Sequence, residues 1–194
     1  MFRRQFLGAA VAAPLAYAAG SFVPVWAQNA PNFGTPTLPS PGFRRIKVGD
    51  VEVVSLIDGI ARRPLGEEFV KNAPIAEVRA LLASQNLPTD YIDVPFTPFL
   101  VVAGGRRILM DTGLGEFGGP TTGKLLENLR AAGVQPGDID TVLITHYHGD
   151  HIGGLRNKAG EFVFPKAKVL VPAPEHAFWM DDAKMNAAPD AMKG

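Results

Sequence analysis

The sequence predicts a mixed α/β domain, and three observations carry that prediction. Two strand pairs open the patterned region, each turning at a glycine step, Gly49-Asp50 and Gly104-Gly105. Helical apolar spacing then follows, ahead of a further strand. That strand ends in a dense His/Asp loop, and another strand and helix come after it. Strands first, then β-loop-α-β, is the order of an α/β (α+β) sandwich and not of an all-helical or all-β protein.

Residues 1–27 are set apart before the fold is read. Arg3-Arg4-Gln5-Phe6-Leu7 opens them, an alanine-rich apolar stretch follows, and Val25-Trp26-Ala27 closes them. The segment resembles a twin-arginine export signal, which is an address rather than an anchor. It is too short and too weakly apolar for a stable membrane span. The expected location is therefore the periplasm. Residues 28–42, rich in Pro, Gly, Asn, Ser and Thr, read as a flexible leader. The domain proper is expected over 43–194.

Phe43–Asp50 and Val51–Ile57 read as the first strand pair. Ala73–Gln85 places Ile75, Val78, Leu81 and Leu82 at helical spacing, with Pro74 near its start and Pro88 beyond its end. Phe96–Ala103 and Arg106–Met110 form the second pair, and Asp111-Thr112-Gly113 ends it. Thr122–Ala132 is expected to be an amphipathic helix with Leu125, Leu126 and Leu129 inward and Gly133 after its end. Thr141–Thr145 and Lys168–Val171 are the remaining strands, and a helix starts at Pro174.

The bulk composition excludes several classes. Across 194 residues, 19 basic and 19 acidic side chains balance, so nothing in the charge points to a nucleic-acid footprint or a polybasic membrane patch. Cysteine is absent, which removes disulfides, thiolate ligands and a Cys nucleophile. A metal must then be held by N and O donors.

Such donors are concentrated in His146-Tyr147-His148-Gly149-Asp150-His151, where three of the chain's four histidines stand. Imidazole and carboxylate suit zinc and related divalent ions. His146 and His148, two apart in extended backbone, point the same way. Asp150 and His151 follow Gly149, where the chain can turn sharply. Two pairs of donors can thus hold two neighbouring ions, roughly 3.5–4 Å apart, with a bridging water ionised near neutral pH. Gly153-Gly154 permits close backbone approach. His176 has no ligand neighbour in sequence and reads as a surface or core histidine.

Thr145-His146-Tyr147-His148-Gly149-Asp150-His151-Ile152-Gly153-Gly154 resembles the T-H-x-H-x-D-H-x-G-G signature of the metallo-β-lactamase-fold hydrolases. Leu109-Met110-Asp111-Thr112-Gly113 resembles their D-T-G landmark, and Asp111 precedes His146 by 35 positions. Softer matches are similar to methyl parathion hydrolase-like and lactonase-like members. These are Gly49–Val53 with Asp58-Gly59, Phe117–Pro120, Phe164–Ala167 and Glu175–Trp179. The resemblance implies the N-terminal half of an αββα sandwich. It implies two divalent ions, zinc before manganese, cobalt or iron. His146 and His148 would hold one, and Asp150 and His151 the other, with Asp150 also orienting the nucleophile. Asp111 would support the ligand loop, and Phe117 and Trp179 would line the substrate pocket.

The same resemblance implies a second half carrying a further His, an Asp and a last His, and these residues are not found before Gly194. The chain therefore reads as the N-terminal portion of such a fold, with a homodimer as a candidate assembly. The function implied is hydrolysis of small-molecule esters, lactones or phosphotriesters through a metal-bridging hydroxide. The competing readings are a glyoxalase-II-like thioesterase or iron sulfur dioxygenase, and an inactive metal-binding fragment. β-Lactam hydrolysis is the weaker option.

Overall fold

Backbone hydrogen bonding builds the chain in this order, in a computed structural model that describes residues 32–188. Strands β1 (Phe43–Val48), β2 (Val51–Leu56) and β3 (Gly59–Pro64) come first, then helix α1 (Ile75–Ser84). Strands β4 (Tyr91–Phe96), β5 (Phe99–Ala103) and β6 (Arg106–Met110) precede helix α2 (Leu125–Ala131). Strand β7 (Thr141–Leu143), the single turn α3 (Gly149–Ile152), strand β8 (Lys168–Leu170) and helices α4 (Ala173–Trp179) and α5 (Asp182–Ala187) complete it. The chain divides into Met1–Asn32 and Phe33–Gly194, and all these elements belong to the second unit. The export signal lies outside the described residues.

Six strands form one sheet in the order β1-β2-β5-β6-β7-β8. The first three pairings are antiparallel, and β7 joins β6 and β8 in parallel. The register sets the core. Val54 and Leu56 of β2, Leu100 of β5, Leu109 of β6, and Val142 with Ile144 at β7 are fully buried. Leu125 and Leu129 of α2 pack onto them, with Ala132, Val134, Ile139 and Phe164 closing the cluster. Burying each such side chain stabilises the fold by about 1.5–3 kcal/mol, so this layer dominates the domain. The sequence-based placement of Leu125 and Leu129 inward holds, and Leu126 is partly buried at the margin.

α1 differs. It forms where the spacing predicts, yet it buries no residue, and Leu81 is 65% exposed. Its apolar stripe lies against nothing that covers it fully, so periodicity located the helix without locating a core.

The hairpin β3–β4 was not expected. Its strands pair from Gly59 opposite Phe96 to Pro64 opposite Tyr91, although the stretch from Leu65 to Asp90 separates them. Phe96 accordingly ends β4 and does not begin β5. The break falls at Thr97-Pro98, where proline has no N–H to give a ladder. The leader is also held over its second half. The Phe33 ring lies 5.4 Å from that of Tyr91, and Arg62 donates to the Phe33 carbonyl at 2.7 Å.

Candidate metal centre

The parallel pair β6–β7 carries Asp111 and Thr145 just past adjacent strand ends, and every predicted ligand follows within the next six residues. Asp111 is the hub. Its backbone is left-handed, φ 62°, a conformation Asp tolerates better than most residues. Its N–H donates to the Leu143 carbonyl at 2.9 Å. Its carboxylate accepts the Thr145 N–H at 2.8 Å and the Thr145 hydroxyl at 2.9 Å. It also sits 2.8 Å from Nδ1 of His151.

These contacts set tautomers. A carboxylate only accepts, so His151 Nδ1 carries the proton and Nε2 is left as a lone pair. The Thr145 hydroxyl spends its one hydrogen on Asp111 and stands 3.1 Å from His146 Nδ1. That nitrogen then donates, and His146 also presents Nε2 as its free donor atom. A carboxylate behind a ligating imidazole is the outer support that metal sites use. Sequence reasoning placed Asp111 in that supporting role, and the structure puts its carboxylate against His151.

The four proposed ligands lie together. The rings of His146 and His148 are 4.7 Å apart, edge to face, and those of His146 and His151 are 3.8 Å apart. His151 Nε2 stands 3.2 Å from Asp150 Oδ2. With the proton of His151 on Nδ1, this is a lone pair facing a carboxylate oxygen. A second proton on the ring, or a cation shared by both atoms, resolves the contact. The donor set thus fits divalent ions. Among the described residues, however, no three His, Asp or Glu side chains are gathered to clasp one ion.

Asp150 and His151 lie on the single turn α3, with His148 as the residue before it. The His148 carbonyl accepts from the N–H groups of His151 and Ile152. Gly149 has ordinary helical surroundings and open space at its Cβ position, so the sharp turn expected of it is not what places Asp150. The close approach is at Gly154, where a Cβ would lie 2.1 Å from the Thr112 carbonyl oxygen. Thr112, fully buried, donates its N–H and its hydroxyl to the His151 carbonyl, each at 2.8 Å.

Asp58 ties together the segment from Leu114 to Leu125, and sequence reasoning missed it as a structural residue. Fully buried, it accepts the N–H groups of Leu114 at 2.9 Å, Gly123 at 3.3 Å and Leu125 at 3.1 Å. Burial raises its pKa, and the three backbone donors pull the other way. A Cβ on Gly113, itself at φ 68°, would strike the Asp58 carboxyl group.

A second missed group is Glu175 on α4. Its Oε1 accepts the Tyr147 N–H at 2.7 Å and the Trp179 indole N–H at 2.7 Å. Those two donors, and then the charges of His146 and His148, hold its carboxyl below the usual range. Tyr147 is raised, by burial first and then by the Glu175 charge. His176 is not isolated, because its Nδ1 lies 3.0 Å from the Tyr147 hydroxyl.

Beside a smaller cleft of about 180 Å³ that it shares with Asp111 and His151, Asp150 borders two larger open grooves. One, of about 530 Å³, is lined by Arg63, Phe96, Leu114, Phe117 and Thr122 among others. The other, of about 550 Å³, runs between Arg63, Phe69, Val94 and Phe96. Phe117 therefore stands beside Asp150, 60% exposed. Trp179 is not among the residues lining either groove; it is engaged with Glu175.

This geometry agrees with what comparison finds. Residues 97–191 match the Metallo-beta-lactamase superfamily, and the chain carries a domain of that superfamily. Among solved structures it is similar to AidC, a dizinc quorum-quenching lactonase in complex with a product, N-hexnoyl-L-homoserine. The TM-score is 0.72 at 34% identity, over 78% of this chain and 54% of that one. It is similar to AbOPH, a hydrolase in the beta lactamase superfamily, with a TM-score of 0.69 at 31% identity, over 78% and 52%. The N-acyl homoserine lactonase AiiB of Agrobacterium fabrum is 32% identical over 104 residues, 44% of this chain and 36% of that protein. The chain thus spans about half the length of the solved relatives and about a third of AiiB.

Proposed function

We propose that this protein is a metal-dependent hydrolase of small-molecule esters, with lactones first among them and phosphotriesters as the related class. The carrying observation is the Asp111–Thr145 network, which backs the Nδ1 atoms of His151 and His146 and leaves Nε2 of His151 as a free lone pair 3.2 Å from Asp150. His146 and His148 would hold one divalent ion and Asp150 and His151 a second, zinc foremost. When bound, such ions supply Lewis acidity, lowering the pKa of water to near neutral and polarising a carbonyl or phosphoryl oxygen.

The chain's own residues do the rest. Asp111 keeps His151 in one tautomer and orientation. Asp150, which borders both grooves, would accept a hydrogen bond from the attacking water and so orient it. Phe117, Phe96 and Leu114 offer an apolar wall for an acyl or aryl group. Two of the similar proteins are lactonases, which supports the lactone reading.

The test is turnover of an N-acyl homoserine lactone, a p-nitrophenyl ester and an aryl phosphotriester by the full chain with zinc, manganese or cobalt. Chelator-sensitive hydrolysis of one class is expected. Metal bound with no rate above buffer on all three overturns the reading. That outcome would favour a non-catalytic metal-binding role, toward which one observation points: no three donors are gathered on one ion among the described residues. We also propose periplasmic export through Arg3-Arg4. Unchanged export of an Arg3→Lys, Arg4→Lys variant would sink it.

A further inference from the structure

We infer that Glu175 is a positioning residue for the metal centre, clamping the backbone between His146 and His148 from a helix that lies 28 residues downstream. The inference rests on the reading of those two histidines as ligands. The loop leaves β7 at Leu143 and must hold two imidazoles in fixed relation without a ladder to bind its backbone. Asp111 fixes its start at Thr145. The turn α3 fixes its end, through the His148 carbonyl. Tyr147 lies between these anchors, and Glu175 supplies the acceptor for its N–H at 2.7 Å.

Three features separate this arrangement from ordinary helix docking. The same Oε1 takes the Trp179 indole N–H at 2.7 Å, so the carboxylate is itself held in place by the next turn of α4. The adjacent His176 grips the Tyr147 hydroxyl at 3.0 Å, so one residue is tied at both its backbone and its side chain. And α4 buries none of its residues, with Phe178 and Trp179 half exposed, so apolar burial does not explain where the helix sits. An acceptor at that N–H that is itself tethered restricts the loop's torsional freedom, as the outer supports of metal ligands do.

The experiment uses the full chain with Glu175→Ala, Glu175→Gln and Trp179→Phe. Zinc affinity is read by competition with a chromogenic chelator, and ligand geometry by the visible spectrum of the cobalt form. Exchange of the Tyr147 amide and the far-ultraviolet circular dichroism are followed in parallel. Glu175→Ala is expected to weaken zinc by about 10-fold or more, to alter the cobalt spectrum and to speed Tyr147 exchange, with the fold retained. Glu175→Gln keeps the acceptor and is expected to stay within about threefold of the parent. Zinc bound as tightly by Glu175→Ala as by the parent overturns the inference and leaves the hydrolase reading standing. A parent chain that binds no zinc overturns both. Should Glu175→Ala fail to fold, Trp179→Phe decides: weaker zinc binding in a folded protein supports the clamp, and unchanged binding overturns it.

Discussion

At the residue scale the centre is a set of hydrogen bonds that decide which nitrogen carries a proton. Asp111 does this for His151 directly and for His146 through Thr145. Asp111→Asn keeps one acceptor oxygen but loses the charge and one acceptor face. It is expected to lower divalent-metal affinity by about 10–100-fold in a chelator competition, with the melting temperature little changed in the absence of metal. Asp58 acts on stability instead. Asp58→Ala leaves the N–H groups of Leu114, Gly123 and the buried Leu125 without their acceptor, which costs about 3 kcal/mol or more in urea unfolding. Its titration has a definite sign. Because burial raises the folded pKa of Asp58 above its unfolded value, the stabilising contribution is full below the ordinary Asp range, near 4. It is lost as pH rises through the raised value. The stability of the parent should therefore fall relative to that of Asp58→Asn as pH climbs from about 4, and parallel curves would refute the assignment.

At the element scale, what the sequence revealed and what it hid follow from range. The hairpins β1–β2 and β5–β6, the strand ends and α2 were legible because each is local: alternation, a glycine turn, a leucine stripe. The His/Asp loop was legible because so many ligand side chains seldom gather for packing alone. β3–β4 was not, since its partners stand on either side of α1 and no short-range turn announces the pairing. Glu175 was hidden for the same reason: an acidic residue in the first turn of a helix looks solvated until the fold brings Tyr147 to it. Trp179 read as a pocket aromatic, whereas its indole N–H points the structural use toward Glu175. Asp58-Gly59 was noticed as a pattern, but the three backbone N–H groups that donate to Asp58 come from 56 to 67 positions away. The Gly113 and Gly154 contacts join these elements. Gly154→Ala places a methyl against the Thr112 carbonyl, which must move and takes the His151 carbonyl with it. A loss of about 1–3 kcal/mol in thermal or urea unfolding is expected. Zinc affinity should fall alongside; an unaffected affinity would show that the Thr112–His151 tie does not control the ligand loop.

At the scale of the whole molecule, the sheet and the ligand loop divide the labour of stability. The core under α2 is apolar, continuous and independent of metal. The loop from Thr145 to Gly154 is half-exposed and fixed by hydrogen bonds to Asp111, Thr112 and Glu175, with Tyr147 and Ile152 packed against that core. It brings together an anionic carboxylate and an imidazole lone pair at 3.2 Å, an arrangement that favours a bound cation in the folded state over the unfolded chain, where the same groups are dispersed. Ligand binding of that kind stabilises by mass action. With free zinc at about 100 times its dissociation constant the gain is about 2.7 kcal/mol, which for a chain of this size raises the melting temperature by about 5–10 °C. Scanning calorimetry with zinc and then with excess chelator measures it, and the shift should reverse on chelation. His146→Ala with His151→Ala should abolish the shift while leaving the metal-free melting temperature within a few degrees, because neither ring belongs to the buried cluster. A zinc-dependent rise that survives this double substitution would place the ion elsewhere on the molecule and remove the centre from this loop.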